Sequence, residues 1–274
     1  MARPLKATDG GTLRRRVVTA CVLAPIVVAV ILAGRLPTTA LILLLAMAAA
    51  GEVADAAAGS HARSPVPIAV SGAALAILFG STNTYGAAFL VIAVAVAGIA
   101  AVLHSRSGRV TALLVGYVGV AFLALVWVRG LPGGGLLLFW LITVVWASDG
   151  AAYVAGRSFG RRQLAPVISP NKTWSGLGGA LAGGALGGVC VAGFLPSSLT
   201  AVPLDGVVEA GLAGAGLGAV GQAGDLLASA WKRALGRKDS GVLIPGHGGV
   251  LDRADALLAS GLAISILAML GGHT

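Results

Sequence analysis

Apolar runs of near-membrane length, broken by short polar or Gly/Pro-rich turns, repeat along the whole chain. A helix rises 1.5 Å per residue, so about 20 apolar residues cross the hydrocarbon of a bilayer. The pattern predicts a first helix over 17–34, a turn at Arg35-Leu36-Pro37, and a second helix ending near Ala58. A third over 66–80 is short for a span, and a fourth, after the polar turn 81–84, ends near Leu103. A fifth, after the basic loop 104–109, ends near Trp127, and a sixth covers 136–156. A long basic loop with Arg157, Arg161, Arg162 and Lys172 precedes a seventh helix over 176–195. An eighth starts near Leu204, and a ninth covers 254–270. The expected architecture is all-α, polytopic, with about nine transmembrane helices. A polar arm, 1–16, leads into a single transmembrane domain, 17–274.

Loop charge orients this scheme. With the N-terminus in the cytoplasm, the outward connections hold only Arg35 and Arg129 of the 19 lysines and arginines. Basic residues collect on cytoplasmic loops, so the loops after the sixth and eighth helices are expected on that side. The first helix follows a basic leader without a clear small-residue cleavage site and reads as retained. The arm's run Arg14-Arg15-Arg16 reads as a topology determinant and a contact for anionic lipid.

Composition agrees. Of 274 residues, 57% are hydrophobic and 11% charged, far from the quarter charged that is usual in soluble domains. The net charge of +9 would suggest nucleic acid in a soluble protein; in a membrane protein it follows topology, and no nucleic-acid partner is expected. Cys21 and Cys190 fall in apolar runs and read as small hydrophobes rather than a disulfide. Gly179, Gly183 and Gly187 recur every fourth residue, a small-xxx-small stripe for close helix contact.

One stretch departs from this poverty of charge. Residues 225–255 hold four aspartates, three arginines, two lysines and a histidine, with apolar segments on both sides. Ionisable groups beside or within a membrane usually mark function. On a helix, Ser229 and Lys232 or Arg233 share a face with Asp225, at spacings of four, seven and eight. Asp252 and Asp255 begin the next helix three apart, so two helix ends can bring Asp225 and Asp252 together. Carboxylates with open positions suit Mg²⁺, which keeps waters and takes phosphate oxygens. Read alone, Asp252 and Asp255 could instead complement a helix N-terminus, the lesser alternative. Gly246-His247-Gly248-Gly249 lets backbone amides approach an anion at that terminus, or forms a plain turn. Lys232, Arg233, Lys238 and Arg253 alternate with the acids, Asp239 among them, which topology alone does not require.

The loop after the sixth helix offers a second group. Asp149, Tyr153 and Arg157 share a helix face, and Ser169-Pro170-Asn171-Lys172-Thr173-Trp174 puts an ammonium and a hydroxyl at the next helix start. An ordinary capped helix start would look the same. Glu52 and Asp55, in the last turns of the second helix, carry less information.

The run Ser229…Lys232-Arg233…Lys238-Asp239…Ile244-Pro245…His247-Gly248-Gly249…Asp252-Arg253…Asp255 resembles the signature of the phosphatidate cytidylyltransferase (CDP-diacylglycerol synthase) family. The Asp149-Gly150-Ala151-Ala152-Tyr153…Gly156…Phe159-Gly160 and Ser169-Pro170…Lys172-Thr173-Trp174 blocks resemble its upstream motifs. The likeness covers roughly the C-terminal half. Trp231 and Ala254 stand where aliphatic residues are usual, and Ser175 where an acid or amide is common. The resemblance implies transfer of CMP from CTP to phosphatidate in the cell membrane, with a homodimer admitted; loop charge puts the site on the cytoplasmic side, and Ala/Gly/Arg richness suggests a bacterial source. It implies Mg²⁺, with room for a second cation, on Asp225 and Asp252, with Asp255 as ligand or support. Lys238, Asp239 and Arg253 would join them in catalysis. Asp149, Ser169, Lys172, Thr173, Ser229, Lys232, Arg233, His247, Gly248 and Gly249 would bind substrate. Two rivals remain from the residues alone. A secondary transporter should show internal repeats and midplane acids, and no repeat is apparent. Another lipid-headgroup transferase would keep metal and lipid but change the donor.

Overall fold

The computed structural model describes residues 22–58, 64–103, 105–193, 206–241 and 248–270. Its helices are α1 (Val22–Leu32), α2 (Arg35–Ala58), α3 (Val66–Ser81), α4 (Tyr85–Val102), α5 (Arg106–Gly130), α6 (Gly134–Phe159), α7 (Trp174–Ala192), α8 (Val207–Ala234) and α9 (Leu251–Leu270). Between α6 and α7 lies an antiparallel hairpin, β1 (Gln163–Ala165) and β2 (Ser169–Thr173), where the sequence suggested only loop. The protein is thus an all-α polytopic membrane protein with one small hairpin. Among the described residues, six helices are long and apolar enough to cross a membrane: α2, α4, residues 108–130 of α5, α6, α7 and α9. The expected count of nine spans is not reached on those grounds. α3 is short, residues 17–21 of the expected first helix lie outside the described residues, and α8, at 28 residues, carries Glu209, Asp225, Lys232 and Arg233.

Element ends also moved. α2 begins at Arg35, so Pro37 sits in its first turn, where a missing N–H leaves no intrahelical bond unmade. Gly34 precedes it with φ +119°, a conformation suited to glycine. α5 starts at Arg106, inside the expected basic loop, because Ser105 caps it by accepting the Gly108 N–H at 3.0 Å. α9 starts at Leu251, three residues early, which places Asp252 and Asp255 within the helix.

An apolar core runs through the bundle from Ile31 on α1 to Ala268 on α9 and includes Phe122, Trp140, Leu141 and Leu258. Lipid gives little hydrophobic drive between helices, so their association rests on close packing. The stripe Gly179, Gly183, Gly187 does face a neighbour: added Cβ atoms there would lie 2.6, 2.5 and 2.9 Å from α6 atoms of Ala151 and Ala147. A second stripe, Gly184 and Gly188, meets the α8 backbone carbonyls of Gly214 and Ala210. Trp140 Nε1 donates to the Gly188 carbonyl at 2.9 Å. α7 is therefore fixed on two sides, and with it the hairpin at its N-terminus. Gly184→Leu should destabilise by more than the roughly 1–3 kcal/mol of ordinary overpacking, because the clash is with backbone. Gly178→Leu, where a Cβ meets nothing within 4 Å, should leave size-exclusion profile and thermal midpoint in detergent unchanged.

Candidate active site

Polar side chains gather where the C-terminal parts of α6 and α8, the hairpin and the start of α9 meet. The hairpin's purpose is local. Arg233 Nε donates to the Ile168 carbonyl at 3.3 Å, holding the hairpin against α8, and Gln163 Nε2 donates to that of Pro170 at 2.9 Å, joining its two strands. Lys172, near the end of β2, then reaches α8. Its Nζ lies 2.7 Å from Asp225 Oδ2 and donates to Gln222 Oε1 at 2.8 Å. Gln222 Nε2 donates to Asp149 Oδ1 at 3.4 Å, tying α6 in. Ser229 Oγ donates to Asp225 Oδ1 at 3.2 Å, the i, i+4 contact expected from spacing.

A second pair lies beside the first. Lys232 Nζ is 2.6 Å from Asp252 Oδ1, and both side chains are 9% exposed. Asp252 Oδ2 accepts the Ser240 and Gly249 amides at 2.9 and 3.0 Å. Asp225, at 37% side-chain exposure, is far more open. Asp255 is buried and accepts the Ala256 N–H at 2.8 Å. Its charge and that of Asp149 are both repelled by Asp225, with Lys172 and Lys232 the nearby cations. Each of the two aspartates singled out by sequence thus has a lysine as its counter-ion.

Other predicted residues divide. Thr173 caps α7 by accepting the Gly176 N–H at 3.1 Å, the ordinary role that sequence left open. Arg157 Nη1 donates to Tyr153 Oη at 3.3 Å on the shared α6 face. Ser169 opens β2. Lys238, Asp239 and Arg253 are exposed at this end of the bundle. Gly248 has φ +83°, and a Cβ there would stand 3.0 Å from Asp252 Oδ2. His247 lies outside the described residues. Three amides around the start of α9 already have acceptors: Asp252 takes that of Gly249, and Glu52 takes those of Val250 and Leu251.

Gln222, Ser240 and Glu52 were not singled out as site residues. Gln222 had a signal, a lone amide one turn before Asp225 in Gly/Ala sequence, and the structure buries it. Glu52 had none beyond being an acid in an apolar helix.

Among the described residues no three His, Cys, Asp or Glu side chains converge to hold a metal unaided. The donors are nevertheless of the right kind for Mg²⁺: carboxylate, amide and hydroxyl oxygens, with Asp225 open to a ligand. Mg²⁺ commonly uses one or two carboxylates and completes its shell with waters and substrate phosphates.

A sequence model described as the cytidylyltransferase family matches residues 14–270. The phosphatidate cytidylyltransferase of Brucella suis biovar 1 is 44% identical over 178 residues, 63% of this chain and 63% of that protein. The phosphatidate cytidylyltransferase of Haemophilus influenzae is 41% identical over 127 residues, 46% of this chain and 43% of its own. That of Bacillus subtilis is 36% identical over 143 residues, 52% and 51%. The similarity therefore spans less than two thirds of each relative's length.

Proposed function

The chain belongs to the cytidylyltransferase family, and on that footing we propose that it is a phosphatidate cytidylyltransferase. The observation that carries the reading is the pair of lysine–aspartate contacts, Lys172–Asp225 and Lys232–Asp252, at one end of an apolar bundle. Two polyanions must meet at a lipid surface in this reaction. The pairs offer cations for phosphates and carboxylates for a metal within one site.

An oxygen of the phosphatidate phosphate attacks the CTP α-phosphorus, the α–β phosphoanhydride bond breaks, and pyrophosphate leaves. The nucleophile belongs to the lipid, so the protein supplies position and charge. Asp225 and Asp252 would hold Mg²⁺, with Asp255 in support; the ion supplies charge neutralisation on the phosphates. Lys172 and Lys232 then turn from their aspartates to phosphate oxygens. Gln222 keeps Lys172 aligned, since it already bonds the ammonium. Arg233, Lys238 and Arg253, exposed at this end of the bundle, would draw the substrates in, and the loop glycine Gly248, with His247 from outside the described residues, would serve the pyrophosphate. We place the site on the cytoplasmic face of a bacterial cell membrane, because loop charge favours it.

The test is incorporation of labelled CTP into chloroform-soluble lipid by purified protein, with phosphatidate and Mg²⁺. Label should enter lipid with one pyrophosphate released per transfer, and chelation should stop both. No incorporation with phosphatidate present overturns the reading. Incorporation from another activated donor in place of CTP would assign a different headgroup transfer.

A further inference from the structure

Glu52 is a buried carboxylate near the C-terminal end of α2, and all its described bonds reach the far end of the chain. Its Oε1 accepts the Val250 N–H at 2.8 Å. Its Oε2 accepts the Leu251 N–H at 3.1 Å and the Ser240 hydroxyl at 3.2 Å. Asp252 takes the amides of Ser240 and Gly249 on the same turn. Between them, the two acids tie Ser240 to the start of α9 and take the amides of Gly249, Val250 and Leu251 there, which no helical carbonyl serves. A carboxylate at a helix N-terminus is also favoured by the helix dipole.

The backbone is shaped around this side chain. A Cβ on Gly241 would lie 2.8 Å from Glu52 Oε1, and one on Gly249 would run into Glu52 Oε2 and Ser240 Oγ. Among the described residues the bonds of Glu52 go to Ser240, Val250 and Leu251 and not to Lys172 or Asp225, so its effect passes through the segment that carries Asp252. Asp55, one turn on, is exposed and does not share the arrangement.

We propose that Glu52 is a positioning residue of the active site: a clamp from α2 that sets where α9 begins and so holds Asp252 against Lys232. The catalytic part of this inference rests on the cytidylyltransferase reading; the clamp itself does not. Glu52→Ala removes all three bonds and should lower kcat about 100-fold, the scale of a misplaced catalytic group. Glu52→Gln keeps one acceptor and should lose about tenfold. In both, KM for phosphatidate should stay within a factor of two to three, while half-saturating Mg²⁺ should rise. Ile77→Ala, in the buried core of α3, serves as the stability control. It should lower the thermal midpoint in detergent without moving the Mg²⁺ dependence.

Hydrogen exchange on the full chain provides an arm independent of activity. Peptides covering 248–256 should exchange at least tenfold faster in Glu52→Gln than in wild type, and α6 peptides should not. Unchanged exchange there overturns the clamp, whether or not CTP is incorporated. Faster exchange with an unaltered kcat and Mg²⁺ dependence overturns the positioning role and leaves Glu52 as a plain helix cap. If wild type incorporates no CTP but the exchange result holds, the substrate reading fails and the clamp stands. Should Glu52→Ala fail to fold, Ser240→Ala, which removes one of the three bonds, should show the same exchange and Mg²⁺ changes at smaller size.

Discussion

Asp225→Asn should give a folded, membrane-inserted protein that incorporates CTP at about a thousandth of the wild-type rate or less, the scale on which a pre-placed charge acts in a polar active site. The substitution is nearly isosteric. The amide oxygen can still accept from Ser229 Oγ, and Lys172 keeps its 2.8 Å bond to Gln222. Because Asp225 is 37% exposed, loss of its ion pair should cost only ~0–1 kcal/mol of stability. What disappears is a negative charge where the mechanism requires a cation. Asp252→Asn should be equally inactive but less stable, because it leaves Lys232 buried without its counter-ion. Incorporation and thermal midpoint, measured on the same preparations, separate the two. Wild-type turnover by Asp225→Asn would remove this residue from the metal and substrate site.

How far such a site can be read in advance depends on the distance over which its contacts act. The helices were legible because apolar runs of membrane length leave the backbone few alternatives. The stripe from Asp225 to Ser229 was legible because i, i+4 neighbours meet on any helix. So was the Gly179–Gly183–Gly187 face. The hairpin was not: β2 reads Ser-Pro-Asn-Lys-Thr, with neither alternation nor β-branched enrichment, and only its packing on α8 shows what it does. Element ends slipped where a cap decided them, as Ser105 does for α5. The glycines before α9 suggested an amide nest for phosphate. Gly246 and His247 lie outside the described residues; the amides that follow meet Asp252, at Gly249, and Glu52, the latter 198 positions from its partner Val250. No local pattern could have named it. The composition of the site was therefore readable, while the pairing within it, Lys172 to Asp225 and Lys232 to Asp252, required the fold.

The pairing of Lys232 with Asp252 should also be the larger stability element. Lys232→Met keeps the apolar stem but strands a carboxylate whose side chain is 9% exposed. Removing one partner of a buried pair costs roughly 3–5 kcal/mol, and the remaining carboxylate would keep only the Ser240 and Gly249 amides to offset its burial. The thermal midpoint in detergent should fall accordingly, and CTP incorporation should vanish. The double variant Lys232→Met, Asp252→Asn should then be more stable than Lys232→Met alone. Its amide oxygen can still accept from Ser240 and Gly249, the two N–H groups that Asp252 now serves. The two changes should couple by about 0.5–3 kcal/mol, as expected for residues in direct contact. Activity should not return with stability, because the double variant lacks both the cation for phosphate and the carboxylate for the metal. A Lys232→Met protein as stable as wild type would show that Asp252 is held by its backbone amides alone. A double variant that regained turnover would show that the pair serves the fold and not the transfer.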